Sequence, residues 1–217
     1  MWVDQAIYTS LPRSGREGYH VVGRSRGVSE TEARILASWC PSHGALLTDE
    51  ANRASLNIHP LLEGRMAVSR SSEGPPEYSG RGGRQIYTHA LIFDAQTLQR
   101  SGIPPISLYL DALALGVFHY RPEPDAVLGE VELGDCHRAL LGKPSGHQGA
   151  PISPHELAAL RERLASGTPV ELHHRDNRVR FIEQLLGALP NGLAASISFS
   201  TSLKPSTARP FALCLVP

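Results

Sequence analysis

His173-His174-Arg175-Asp176 is the densest run of metal-ligating and proton-transferring groups in the chain. Imidazoles and a carboxylate are ordinary zinc or iron ligands, and an imidazole titrates where a general base must. Neighbouring residues on a strand point to opposite faces, so His173 and His174 could reach one ion only if the strand ended between them. A strand-to-helix turn suits these residues, with Asp176 or Asn177 as the helix N-cap, and capping is the simpler use of that carboxylate. His89 stands in QIYTHALIF, residues 85 to 93, with no acid or nucleophile beside it. It reads more simply as a hydrogen-bonded core histidine than as a general base. His89, His173, His174 and Asp176 together define the enzymatic alternative, a metal-dependent or histidine-dependent hydrolase. HEL at 155 to 157 lacks the second histidine of HExxH, and no other histidine spacing is that of a metal site. Neither a metal nor a cofactor is therefore expected.

Just ahead of His89 lies SGRGGR, residues 79 to 84. Successive backbone amides in such a loop can cradle an anion, and Arg81 and Arg84 would add charge. Phosphate loops of the P-loop and dinucleotide classes, however, open a helix whose N-terminal amides share the load, whereas this loop opens a strand. Partner contact is the better functional reading, because Tyr and Arg are favoured interface anchors. Tyr78, Arg81 and Arg84 are the partner-binding candidates. Cys40, followed by Pro41 and near His43, is the one tempting nucleophile pair, but a helix C-terminus is the wrong end of the dipole for a thiolate.

The elements that must position these groups follow from pattern. Gln5 to Thr9 and Gly18 to Arg24 read as paired strands around a turn-rich SLPRSGRE. Ser29 to Glu32 is a capping box that opens a helix to about Trp39, where Pro41 stops it. Ser55 to His59 and Arg65 to Ser69 read as short strands, and 71 to 84 as a long polar loop. Gln85 to Phe93 is apolar on both faces, as a central strand covered on both sides must be. Asp94 caps a short helix to Arg100, and Pro104-Pro105 starts another that carries Leu108, Leu110, Leu113 and Leu115. Ser153 to Glu156 is a second capping box ahead of a leucine stripe ending at Gly167. Pro169 to His173 reads as a strand, Asn177 to Leu189 as a helix, and Leu193 to Leu203 and Phe211 to Val216 as strands. The fold class expected is α+β, a mixed and largely antiparallel sheet with several flanking helices. Residues 1–217 are taken as a single domain, with a weakly marked sub-boundary within 117–152.

Composition narrows the function classes. The 217 residues carry 21 basic and 21 acidic side chains, so the broad basic footprint of a nucleic-acid binder is missing. Only Lys143 and Lys204 are lysine, an arginine bias that suits bidentate carboxylate contacts and that codon usage also explains. Three cysteines without CxxC spacing suggest neither a disulfide framework nor a thiolate zinc site, which fits a reducing cytoplasm. The N-terminus is not built as a signal peptide, and no run approaches the ~18 apolar residues of a membrane span.

Three segments together resemble a known family: DQAIYTSLPRSGREGYHVVGRSRGVS at 4 to 29, EGPPEYSGRGGRQIYTHALIF at 73 to 93, and ALPNGLAASISFSTSL at 188 to 203 with RPFAL at 209 to 213. This texture is similar to the N-terminal domain, type 2, of bacterial GTPase-associated proteins of predicted conflict systems, and the similarity spans essentially the whole chain. The resemblance implies a non-enzymatic module in the cytoplasm, working as an adaptor between a GTPase and an effector. It carries over no catalytic residues.

Overall fold

A computed structural model describes residues 1–12, 15, 17–77, 82–101, 103–134 and 152–217. Ten strands form one sheet: β1 (Trp2–Ser10), β2 (Tyr19–Ser25), β3 (Ala54–Pro60), β4 (Arg65–Pro76), β5 (Arg84–Asp94), β6 (Val127–Leu128), β7 (Val131–Glu132), β8 (Val170–His173), β9 (Phe199–Ser200) and β10 (Leu213–Val216). Their order is β6-β2-β1-β5-β4-β3-β9-β10-β8, with β7 pairing separately with β1. The centre is antiparallel, while β2/β6, β9/β10 and β10/β8 are parallel. The sheet is thus mixed and mostly antiparallel, in an α+β fold with six helices among the described residues. None of these helices is long and apolar enough to cross a membrane.

The strand read as central is central. β5 is buried from Gln85 through Phe93, because its two faces serve different cores. Leu91 and Phe93 join the larger core beneath α2 (Ala95–Ser101), α3 (Pro105–Ala114), α4 (Pro154–Ala165) and α5 (Arg178–Ala188). Ala90 and Ile92 join the core under α1 (Glu30–Trp39) with Ala6, Tyr8 and Leu36. Both capping boxes form: Ser29 Oγ accepts from Glu32 N and Ser153 Oγ from Glu156 N, each at 3.2 Å, with the glutamate reaching back. Such a cap contributes about 1 kcal/mol to its helix.

Two expectations need correction. β4 does not end near Ser69 but runs to Pro76, so the first six residues of the polar stretch expected to be a loop from 71 are strand. Its serines can be buried because the neighbouring strands satisfy them: Ser71 Oγ meets Thr88 Oγ1 at 2.8 Å, and Asn57 Nδ2 donates to Ser69 and Ser71. The segment Leu193 to Leu203 is not one strand but helix α6 (Asn191–Ser196) followed by β9 of two residues. Pro190 supplies an extended N-cap for the helix. Beyond β9, hydroxyls replace ladder bonds: Ser202 N donates to Ser55 Oγ at 2.9 Å, Leu203 N to Ser200 Oγ at 3.1 Å, and Leu56 N to Thr201 Oγ1 at 2.8 Å. The stretch from 127 to 132 forms only the short pieces β6 and β7, and residues 135–151 of the 117–152 sub-boundary lie outside the described residues.

One buried cation joins the late strands to the early ones. Arg178, in the first turn of α5, is 0% exposed. Its guanidinium pairs with Asp49, donates to the Leu47 carbonyl at 3.0 Å and Ser202 Oγ at 2.7 Å, and through Nε reaches the His174 carbonyl at 2.9 Å. Asn52 completes the joint: its Oδ1 accepts from Arg178 N, and its Nδ2 donates to the Asp176 carbonyl. Removing such a charge strands its buried acceptors. Arg178→Met is expected to lower the unfolding free energy by about 3–5 kcal/mol, measured by urea denaturation; a loss below about 1 kcal/mol would show that the joint is dispensable.

Candidate functional site

The arginine-rich loop connects β4 to β5, and its base is defined by specific contacts. β4 and β5 pair from Arg65↔Asp94 to Pro76↔Arg84, with an irregularity between Glu73 and Pro76, and Glu77 N then donates to the Gly83 carbonyl at 3.1 Å. Gly83 has a φ of 90°, and a Cβ there would lie 2.2 Å from His43 Cε1. The positive φ favours glycine, and any other residue would also displace the exposed His43 ring. His43 Nδ1 also lies 3.4 Å from the Arg84 carbonyl, so the segment after α1 braces the loop. Arg84 itself is exposed and sits 3.5 Å from Glu73 Oε2, a surface pair of small energetic weight. Tyr78 and Arg81, the other two partner-binding candidates, lie outside the described residues.

His89 lies deep in the sheet at 1% exposure. Its Nε2 is 2.8 Å from Gln5 Oε1 on the neighbouring strand, and its ring stands edge-on to Phe118 at 5.6 Å. Burial pushes its pKa down to about 3, helped by the Arg121 and His119 charges and opposed by the Val117 carbonyl. A neutral imidazole with no opening to solvent holds β1 to β5; it does not present a base to a substrate.

At the other end of the sheet, His173 is exposed, with Nδ1 2.9 Å from the Pro217 carbonyl and Nε2 3.8 Å from Glu171. His174 stacks on Phe181 at 4.2 Å, and its carbonyl accepts from Arg178. Asp176 offers its carbonyl to Asn52, and the N-cap of α5 is Asn177, whose Oδ1 accepts from Arg180 N at 2.9 Å. β5 and β8 are five places apart in the sheet order, on the order of 24 Å at the usual strand spacing. The structure therefore does not bring His89 together with His173, His174 and Asp176. Among the described residues, no group of three His, Cys, Asp or Glu is placed to hold a metal.

Sequence reasoning missed the polar centre on the α1 side. Cys40 is buried, and burial pushes its thiol well above the usual range, against the lowering effects of Thr88 and Arg209. His59, stacked on Trp39 at 4.9 Å, is likewise held neutral: burial pushes its pKa down to about 4. A second ion cluster ties the strands to α1, where Arg65 bonds Asp4 at 2.5 Å, Glu32 at 2.9 Å and the Gly27 carbonyl at 3.0 Å. None of these pairs is near in sequence, so no local motif announces them.

Residues 2–133 match the model of a family described as GTPase-associated protein 1, N-terminal domain type 2. The matched span contains β1 to β7, the bracing helix α1 and the whole arginine-rich hairpin. It includes the first two segments on which the resemblance was drawn and ends before the third, at 188 to 203, so it is shorter than the whole-chain similarity expected. Neither a curated protein nor a solved structure matches the chain.

His59 and His89, the two buried histidines among the described residues, give a pH signature. Both folded-state pKa values lie below the ordinary 6.5, so each histidine contributes stability in full above 6.5, and that contribution is lost as pH falls toward about 4 for His59 and about 3 for His89. Between pH 6 and 5 the unfolded chain takes up the extra protons, and each histidine adds a slope approaching 1.4 kcal/mol per pH unit, about its upper limit. Stability measured by urea denaturation is expected to fall across this window, less steeply in His89→Gln; equal slopes in the two proteins would contradict the burial of a neutral His89.

Proposed function

The chain belongs to the family of the GTPase-associated protein 1 N-terminal domain, type 2, and we propose that it is a non-enzymatic interaction module coupling a GTPase to an effector. On this reading the setting is a bacterial conflict system in the cytoplasm, and residues 1–217 act as one unit. The family match carries the GTPase connection. The chemistry favours binding over catalysis: His59 and His89 are held neutral, the Cys40 thiol is held protonated, and His89 lies apart from the other residues of the hydrolase reading.

The β4–β5 hairpin is the proposed contact element. Its base is fixed by the two-stranded ladder and by the Gly83 packing against His43, while Arg84 projects into solvent. A loop on a fixed base loses less conformational freedom on binding than a free one. Tyr78 and Arg81 would join Arg84 there as amphipathic and bidentate anchors.

The direct check is a pull-down with a purified small GTPase taken from the same genome. Wild type is expected to retain the GTPase, and the Arg81→Ala, Arg84→Ala double variant to bind at least about tenfold more weakly, a loss of about 1.4 kcal/mol. Equal retention by both proteins would remove the hairpin from the interface, and no retention by wild type would remove the GTPase coupling itself.

A further inference from the structure

Helix α5 separates, and joins, two clefts of opposite character. The first, about 930 Å³, is lined by Arg53, Arg70 and Arg180, with Glu183 as the one carboxylate among its described lining residues. In a chain with 21 basic and 21 acidic groups, three guanidiniums against one carboxylate is a local excess of positive charge. Arg70 is held in place, donating to Ser72 Oγ at 3.4 Å and hydrogen-bonding the buried Tyr109 side chain. Leu113, on the same cleft, is 46% exposed, so the arginines stand beside uncovered apolar surface. The second cleft, about 510 Å³, is lined by apolar groups that include Met66, Phe93, Leu98, Ile103 and Leu186. Glu183 and Gly187, one turn apart on α5, line both.

Gly187 is the independent observation. It lies in the last turn of α5, and glycine is a poorer helix former than alanine. It is not among the glycines with positive φ, and a Cβ built on it meets nothing within 4 Å. Neither backbone conformation nor close packing requires a glycine here. What its missing side chain leaves is open space where the two clefts meet.

We propose that this pair of adjoining clefts docks an acidic segment of a partner protein, its carboxylates meeting Arg53 and Arg70 and an apolar side chain entering the Met66, Leu98 and Leu186 half. Carboxylates match the bidentate guanidinium fork, and an apolar anchor beside them supplies the desolvated centre that interfaces need. The lining residues of β4 and β5, Met66, Arg70 and Phe93, lie away from the Arg84 end of the hairpin, and the proposal does not depend on the partner being the GTPase.

The test uses the full chain, isotope-labelled for NMR, and a synthetic peptide of about ten residues, glutamate-rich in its first half and leucine-rich in its second. The peptide is expected to shift the amides of Arg53, Leu113, Glu183 and Gly187, with an affinity that falls as salt screens the arginines. Gly187→Gln, which fills the junction while improving helix propensity, should weaken binding at least about tenfold without lowering Tm. Arg53→Glu, at an exposed position, should weaken it as well. No groove shifts at about 1 mM peptide would overturn the proposal. So would equal binding of a peptide with lysines in place of the glutamates, unchanged affinity in both variants, or the same shifts produced by inorganic phosphate alone.

Discussion

A single buried guanidinium decides how the second half of the chain meets the first. Arg178 has no access to water, so every proton it carries must find a protein acceptor, and the acceptors come from segments widely separated in sequence: Leu47 and Asp49, His174, and Ser202. An unpaired charge there would be prohibitive, so the connection after α1, the end of β8 and the turn after β9 are held in one arrangement. Asp49 answers the cation. Burial works to raise its pKa, but the Asn52 side chain and amide, the Arg178 charge and the Ala51 amide together hold the carboxyl below its usual range. The same joint sets the start of α5, and hence the helix on which the arginine-lined and apolar clefts meet.

The sheet carries a second constraint of the same kind. On the α1 side, one row crosses it as Ala6, Ala90, Ser69, Asn57 and Ser200, and the next as Tyr8, Thr88, Ser71 and Ser55. Small side chains let α1 approach, and the hydroxyls, all buried, bond one another across four strands. A satisfied polar network in a low-dielectric interior rigidifies and specifies its partners, whereas one unsatisfied member would be costly. This rigid platform is what braces the hairpin that carries Arg84. Among the described residues His59, His89, Cys40 and Cys214 are buried, and burial favours their uncharged forms, whereas the other histidines lie at or near the surface.

How much of this could be read in the sequence depends on the range of the interaction. Both capping boxes, the proline helix starts and the two-faced burial of Gln85 to Phe93 are local patterns, and they were legible. The length of β4 was not, because Ser69 and Ser71 look like loop residues until Asn57 and Thr88 are placed beside them. The alternation of serines from 196 to 202 imitated a strand, while the hydroxyls of Ser200 and Thr201 in fact end the ladder by accepting the Leu203 and Leu56 backbone amides. Arg178 looked like one more helix arginine, since its partners are set by tertiary contacts alone. Gly187 carried no signal beyond a helix cost. The hairpin glycines were legible as a special loop, but the need for glycine at 83 became visible only when His43 was found against it.

We propose that this protein acts through contact with a GTPase and not through chemistry of its own. Hydrogen–deuterium exchange of the full chain, with and without a purified small GTPase from the same genome, addresses that most directly. Slowed exchange confined to the β4–β5 turn and its flanking strand ends is expected, with the buried strands unchanged. Exchange that is identical in the two samples, at a GTPase concentration well above that of the protein, would contradict it.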